Sequence, residues 1–113
     1  ADIAHNEDGI RMVCKQLQSI PHQTLRIVLG VVNDKDIEAI LRLLPREAVY
    51  YFCKANIPRG LDVNLLCEKA QQHQLYGKSY TSVKAAYRAA KTEADNQDVV
   101  FVGGSAFIVA EIL

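Results

Sequence analysis

The feature that most constrains the fold of this chain is a regular alternation of helical and strand patterns. Four segments place apolar residues at positions i, i+3, i+4 and i+7, which puts each set on one side of a helix. The four sets are Ile10, Val13, Cys14 and Leu17; Ile37, Ile40, Leu41 and Leu44; Val63, Leu66, Cys67 and Ala70; and Val83, Ala86, Tyr87 and Ala90. Residues able to cap a helix precede them, namely Asn6, Asn33 or Asp34, Asp62, and Thr81 or Ser82.

Short apolar runs separate these helices. The runs 25–32, 49–53 and 99–102 are rich in β-branched and aromatic residues and do not alternate with polar ones, which is typical of strands covered on both faces. A weaker signal over 75–80 predicts a short edge strand, and the apolar segment 105–113 predicts a final helix. The sequence therefore predicts an α/β, Rossmann-like three-layer sandwich with helices on both faces of a mostly parallel sheet.

Composition narrows the class of protein. The 113 residues suit a single domain, and 13 basic against 13 acidic residues give no electrostatic footprint for nucleic acid or a membrane surface. We find no signal peptide and no apolar run near the roughly 20 residues that span a bilayer. Cys14, Cys53 and Cys67 form no C-x-x-C pair, so we expect neither a structural zinc site nor a redox motif. We predict buried thiols in a cytoplasmic protein.

Chemistry is expected in the loops at the carboxyl ends of the strands, where open parallel sheets bind ligands. Four such loops, 2–6, 30–36, 54–59 and 77–81, carry charged or amide side chains. The fifth, 103–105, offers backbone amides and the Ser105 hydroxyl at a predicted helix start, which suits a carboxylate or phosphate oxygen. A Gly-Gly pair equally suits an ordinary tight turn. Neither a G-x-G-x-x-G motif nor a P-loop occurs, so the sequence lacks both common motifs that bind the phosphates of a nucleotide.

Four motifs occur in order along the chain. Residues 2–9 read DIAHNEDG, residues 30–36 read GVVNDKD, Pro58-Arg59 follows the second predicted strand, and Gly104-Ser105 leads into Val109-Ala110-Glu111. Together they resemble the C-terminal domain of folylpolyglutamate synthase/dihydrofolate synthase in the Mur ligase superfamily. Glu7 stands where that family usually has proline, and glutamate suits the first turn of a helix through the helix dipole.

The resemblance implies a single C-terminal domain, residues 1–113, excised from a longer two-domain ligase whose N-terminal ATPase domain is absent. That domain would bind most of the ATP and Mg²⁺. ATP would phosphorylate a carboxylate of dihydropteroate or of a folate, and the amine of L-glutamate would then attack the acyl phosphate. The lobe would act with its own N-terminal domain in a monomer, and the isolated fragment is expected to be inactive.

The resemblance also implies roles for individual residues. Asp2 would accept hydrogen bonds from the ribose hydroxyls of the nucleotide, and Asn6 would order that loop as a helix cap. His5 would face the reacting phosphate or the incoming glutamate and give electrostatic or proton-transfer help. Lys35, Ser105 and Arg59 would bind substrate carboxylates, and none of the six is a metal ligand. Taken singly, Asp2, Lys35, Arg59 and Ser105 are equally explained as a terminal acid, two solvated cations and an ordinary cap.

Two other functions fit parts of the sequence. A Mur-type peptidoglycan amino-acid ligase would share the fold and the acyl-phosphate chemistry, although the Asp-x-Ala-His-Asn motif favours the folate branch. A non-catalytic α/β interaction module is the third possibility. The receiver form of such a module would need clustered acids and a phosphorylatable aspartate after a central strand, whereas the strand 49–53 leads into Lys54.

Overall fold

A computed structural model describes residues 15, 24–31, 37–54, 60–104 and 108–112, with the backbone alone for 104 and 108–112. Lys15, within the first predicted helix, is helical and exposed. The strands are β1 (Leu25–Gly30), β2 (Val49–Phe52), β3 (Gly77–Ser79), β4 (Val99–Gly104) and β5 (Ile108–Ile112). The helices are α1 (Ile37–Leu43), α2 (Val63–Gln72) and α3 (Val83–Glu93).

The five strands form one sheet in the order β3-β2-β1-β4-β5. The pairs β1–β2, β1–β4 and β2–β3 are parallel, whereas β4 and β5 are antiparallel. The central position of β1 follows from its composition, since every residue from Ile27 to Gly30 is buried. The prediction of a mostly parallel sheet is confirmed, and β3 is the short edge strand predicted within 75–80.

Alternate side chains of the strands enter two separate cores. On one face, Ile27 and Phe101 pack with Leu41 of α1 and Leu66 of α2. On the other face, the strand residues Val28, Tyr51 and Val100 pack with Ala86 and Ala90 of α3. Because both faces are covered, nearly every residue of β1, β2 and β4 is apolar or glycine, which explains the absence of alternation in these runs. The three-layer prediction is confirmed.

Two of the predicted helix caps are confirmed. The Asp62 carboxylate accepts hydrogen bonds from the amides of Asn64 and Leu65 at 3.0 and 3.3 Å, and the Ser82 hydroxyl accepts one from the amide of Ala85 at 3.0 Å. Each cap satisfies backbone donors that have no partner within the first turn of a helix. The predicted caps Asn6, Asn33 and Asp34 lie outside the described residues.

The predicted final helix over 105–113 is wrong. Ile108–Ile112 is strand β5, and its register with β4 runs from Gly103 opposite Ile108 to Val99 opposite Ile112. The segment carries the β-branched residues Ile108, Val109 and Ile112, which favour a strand once a partner is available. That partner is the side of β4 that β1 leaves unpaired. Gly103 and Gly104, predicted to form a loop before a helix, belong to β4 itself.

A buried carboxylate ties the amino ends of β1 and β4 together. Asp98 is 1% exposed, and it accepts hydrogen bonds from the Thr24 amide, the Asp95 amide and the Arg26 guanidinium at 3.1, 2.9 and 3.0 Å. Arg26 also donates to the Tyr51 hydroxyl at 2.8 Å, and this hydroxyl donates to Glu93 at the end of α3 at 2.7 Å. Burial, together with the bond to Glu93, raises the pKa of Tyr51 to about 12.

We expect Asp98→Ala to lower the free energy of unfolding by about 3 kcal/mol, because it leaves Arg26 and two amides without their acceptor in a buried place. Asp98→Asn, which keeps the shape, should lower it by about 1–2 kcal/mol. Urea unfolding followed by circular dichroism measures both changes. Asp95→Asn is the control, since that side chain is exposed and only its amide takes part. Equal stability of Asp98→Ala and the control would show that the cluster is dispensable.

The same carboxylate gives the fold a defined pH dependence. The Asp95 amide and the Arg26 guanidinium hold the pKa of Asp98 below its usual value of 3.8. A carboxyl whose pKa is lowered by folding stabilises the protein above its unfolded pKa and loses that contribution as the pH falls through the folded value. The difference in unfolding free energy between the parent chain and Asp98→Asn should therefore be full at neutral pH and shrink below about pH 4.

Close approach of β3 to β2 depends on Gly77. A Cβ at this position would lie 1.9 Å from the carbonyl oxygen of Tyr50, against backbone that cannot move aside. We expect Gly77→Ala to separate β3 from β2 and to lower the free energy of unfolding by about 1–3 kcal/mol. Ser79→Ala, in the same exposed strand, is the matched control and should change stability little. If the two variants unfold at the same urea concentration, the contact at Gly77 does not limit the pairing.

Candidate functional site

The four parallel strands end along one side of the sheet, which we call the carboxyl rim. The register places Gly30 opposite Gly104, Leu29 opposite Phe52, and Phe52 opposite Ser79. The last described residues after β1, β2 and β4 are Val31, Lys54 and Gly104, and all three lie at this rim. The opposite side, where Asp98 and Arg26 lie, is the amino rim.

The strand order marks one point on the carboxyl rim. From β1 the chain moves outward to β2 and β3, and it then returns to the other side of β1 to form β4. In open parallel sheets, the crevice between two strands whose connections diverge in this way is where ligands bind. Here the crevice lies between the ends of β1 and β4, at Gly30 and Gly104.

The chain returns to the same rim after β2. The Cys53 amide donates to the Leu29 carbonyl at 3.0 Å, and the Leu61 amide donates to the Val31 carbonyl at 2.8 Å. Lys54 and Gly60, which bracket the segment 55–59, are therefore adjacent to residues anchored at the end of β1. The structure thus brings the start of segment 32–36 and both ends of segment 55–59 to one part of the rim.

Two of the helices that begin on the side of the carboxyl rim, α2 and α3, have caps of different charge. The α2 helix starts after Asp62, whose carboxylate caps the first turn. The α3 helix follows β3, which is held at the rim by the Tyr80 amide donating to the Phe52 carbonyl at 2.8 Å, and its cap is the neutral hydroxyl of Ser82. Since helix N-termini carry partial positive charge, the start of α3 is the more electropositive of the two.

Cys53 lies just below the rim but is not a nucleophile. The residue is fully buried, its thiol contacts the Leu29 carbonyl at 3.5 Å, and burial raises its pKa to about 11. Reactive cysteines need a lowered pKa and access to solvent. The prediction that Cys53 acts as a small buried hydrophobe is confirmed. Cys67 is only partly buried, with its pKa raised by burial, and Cys14 lies outside the described residues.

All six predicted site residues, Asp2, His5, Asn6, Lys35, Arg59 and Ser105, lie outside the described residues. The described strand ends locate the points from which three of their segments leave the sheet: Val31 for Lys35, Lys54 and Gly60 for Arg59, and Gly104 for Ser105. One premise for Ser105 does need correction. Gly103 and Gly104 belong to β4 and the residues 108–112 form β5, so the helix predicted over 105–113, whose first turn was expected to bind an oxyanion, is not formed by the described residues.

His73 is separate from this rim. It caps the C-terminus of α2, and its ring nitrogen is hydrogen-bonded to the carboxylate of Glu38 of α1, which also contacts Lys69 at 3.5 Å. The hydrogen bond from His73 lowers the pKa of Glu38. This contact joins the two helices that cover one face.

Neither a metal site nor a membrane span is seen in the described part of the chain. Within 24–31, 37–54 and 60–104, no three His, Cys, Asp or Glu side chains are grouped closely enough to hold an ion, so we assign no magnesium ligand there. Among the described helices, none has the length and apolar character needed to cross a bilayer.

Sequence reasoning missed the polar cluster around Arg26. Its signal was nonetheless present, because Arg26 is the lone charged residue in the apolar run 25–32, and a charge in a strand covered on both faces needs a partner. The partners Asp98 and Glu93 could not be identified without the strand order. The cluster lies at the amino rim, away from the crevice, so its role is to hold the sheet together.

Comparison with known proteins agrees with this geometry. The family model described as "Mur ligase, glutamate ligase domain" matches residues 1–106. A probable bifunctional folylpolyglutamate synthase/dihydropteroate synthase of Haloferax volcanii is 35% identical over 113 residues, which cover 97% of this chain and 13% of that protein. The dihydrofolate synthase/folylpolyglutamate synthase of Escherichia coli is 32% identical, over 99% of this chain and 26% of that protein.

A solved structure shares the fold. Escherichia coli FolC in complex with ADP, without folate substrate, superposes with a TM-score of 0.80 and 29% identity, over 94% of this chain and 25% of that one. The chain thus spans only about a quarter, or less, of the length of the relatives that it matches.

Proposed function

This chain belongs to the family of Mur ligase glutamate ligase domains, and we propose that it is the C-terminal lobe of an ATP-dependent folate ligase. The ligase would add L-glutamate to folate or dihydropteroate. The full enzyme would comprise this lobe and an N-terminal ATPase domain, in keeping with the greater length of its relatives. Their names favour the folate reaction over a peptidoglycan ligase or a non-catalytic module.

The observation that carries the proposal is the crevice between β1 and β4 at the carboxyl rim. The segments containing Lys35 and Ser105 leave the sheet on its two sides, and the segment containing Arg59 is bracketed by residues at the same rim. A substrate with two carboxylates, such as L-glutamate, needs cationic and hydroxyl donors that converge from separate loops. The strand order supports such a convergence.

The proposed reaction has two steps. The terminal phosphate of ATP passes to a carboxylate of the folate, which releases ADP and forms an acyl phosphate. The L-glutamate amine then attacks the acyl carbon, phosphate leaves, and the amine loses a proton as the amide forms. Magnesium, carried with ATP and held mainly by the N-terminal domain, would neutralise charge on the phosphates.

The residues of this lobe would bind and orient. Asp2 would accept hydrogen bonds from the ribose, in a loop ordered by Asn6, and Lys35 would pair with a carboxylate of the incoming glutamate. Arg59 and Ser105 would contact further carboxylate oxygens. His5 would sit beside the transferring phosphate and the amine, where an imidazole can stabilise charge or take the proton. Complex formation between FolC and ADP supports the nucleotide part of this assignment.

In the full-length enzyme we expect His5→Ala to lower kcat by about 10²–10⁴, the usual range for a lost acid–base group. Lys35→Ala should raise KM for L-glutamate by about 10–100-fold, because it removes a charge-assisted hydrogen bond. Phosphate release with a folate and L-glutamate measures both. His73→Gln and Lys15→Ala are matched controls, since His73 faces Glu38 and Lys15 is exposed on another helix. Near-parental rates for both His5→Ala and Lys35→Ala would reject these roles.

The 113-residue chain alone should not catalyse glutamate addition, because in this proposal the phosphates of ATP are bound by the other domain. Mixing the purified chain with ATP, a folate and radiolabelled L-glutamate should give no labelled product, whereas the full-length enzyme should. Replacing the folate by a nucleotide-linked muramyl substrate separates the two ligase branches. Turnover by the isolated chain would contradict the two-domain arrangement.

A further inference from the structure

The solvent face of α3 carries an unusual concentration of positive charge. Lys84, Arg88 and Lys91 are exposed and spaced by four and three residues, so they form one stripe along the helix. With Tyr87 and Thr92 they line a shallow surface hollow of about 430 Å³. The ten residues 83–92 include no acidic residue, although positive and negative charges balance over the whole chain.

This stripe works against the stability of its own helix. Like charges at i, i+4, as for Lys84 and Arg88, destabilise a helix by a few tenths of a kcal/mol. A cation in the first turn, as Lys84 is, also opposes the helix dipole, and the Ser82 cap adds no negative charge. Within the described residues, neither Lys84 nor Arg88 has an ion-pair partner. An anionic ligand would relieve this unfavourable arrangement.

The position of the stripe relates it to the candidate site. The α3 helix starts at the carboxyl rim, and its far end is anchored by Glu93 to Tyr51. The stripe therefore begins at the rim and runs away from it. At a rise of 1.5 Å per residue, Lys84 and Arg88 are about 6 Å apart along the axis, and Lys91 lies about 4.5 Å further. Lys91 is held over the Tyr87 ring at 5.5 Å from its centroid, which keeps its ammonium beside the hollow.

We propose that this stripe, defined by Lys84, Arg88 and Lys91, binds the γ-linked glutamate tail of the folate substrate. The inference rests on the proposed function and adds a second binding region to it. Each γ-linked glutamate adds five backbone bonds, or about 6 Å when extended, together with one free α-carboxylate. That spacing matches the axial separation of Lys84 and Arg88, and it exceeds that of Arg88 and Lys91 by about 1.5 Å. A folate with a single glutamate has one α-carboxylate, whereas one with four γ-linked glutamates has four, so the longer substrate can pair with several cations of the stripe.

The test compares two substrates of the full-length enzyme, a folate with one glutamate and the same folate with four γ-linked glutamates. Lys84→Gln combined with Arg88→Gln should raise KM for the long substrate about three- to tenfold, as expected for two exposed ion pairs. KM for the short substrate and kcat for both should change less than twofold. Lys15→Gln combined with Arg46→Gln is the control, because it removes the same charge from exposed positions elsewhere.

Direct binding separates this inference from the proposed function. A fluorescent γ-linked tetraglutamate peptide should bind the full-length protein with a Kd that rises with ionic strength and rises about three- to tenfold in the Lys84→Gln, Arg88→Gln variant. If the protein lacks ligase activity yet binds the peptide in this way, the stripe is supported and the proposed function fails. An unchanged peptide Kd in the variant, equal KM changes for both substrates, or the same effect in the control pair would overturn the proposal.

Discussion

Side-by-side pairing of β1 and β4 is the interaction on which the rest of the structure depends. Six register pairs, from Leu25 opposite Val99 to Gly30 opposite Gly104, join strands that are separated by about seventy residues of chain. This pairing closes the sheet after the outward path through β2 and β3, and it completes both cores. It also creates the crevice at the carboxyl rim, so the geometry of the candidate site is a direct result of how the sheet is closed.

The two rims of the sheet have different roles: the amino rim contributes to stability, and the carboxyl rim carries the candidate binding site. At the amino rim, Asp98, Arg26 and Tyr51 form a buried polar chain whose groups are all hydrogen-bonded. At the carboxyl rim, backbone hydrogen bonds hold the described residues Val31, Cys53 and Leu61, which lie next to the points where the chain leads to Lys35 and Arg59. The α3 helix connects the two rims, anchored by Glu93 at one end and presenting Lys84 at the other. Substitutions at opposite rims should therefore act on separable properties.

Most of this fold could be predicted from the pattern of apolar and polar residues alone. Ile37, Ile40, Leu41 and Leu44 are all buried, as predicted. Over eight residues, apolar positions with a 3.6-residue period fit a helix and do not fit a strand. The segment 108–112 was predicted as helix because its four apolar residues fit either period, and only the unpaired side of β4 decides between them. Strand order depends on contacts between distant residues, which no local pattern contains. The six site residues follow from motif resemblance, and the structure locates only the strand ends beside three of them.

Among the described strands, β3 is the outermost on its side of the sheet. It has three residues, all exposed, and its middle residue is Lys78. A long flat apolar border would let a second copy add its own strand, whereas a brief border bearing an ammonium group gives few backbone bonds and repels an identical neighbour. This edge of the sheet therefore disfavours pairing with a strand of another molecule. That property reduces the tendency of the protein to aggregate through its sheet.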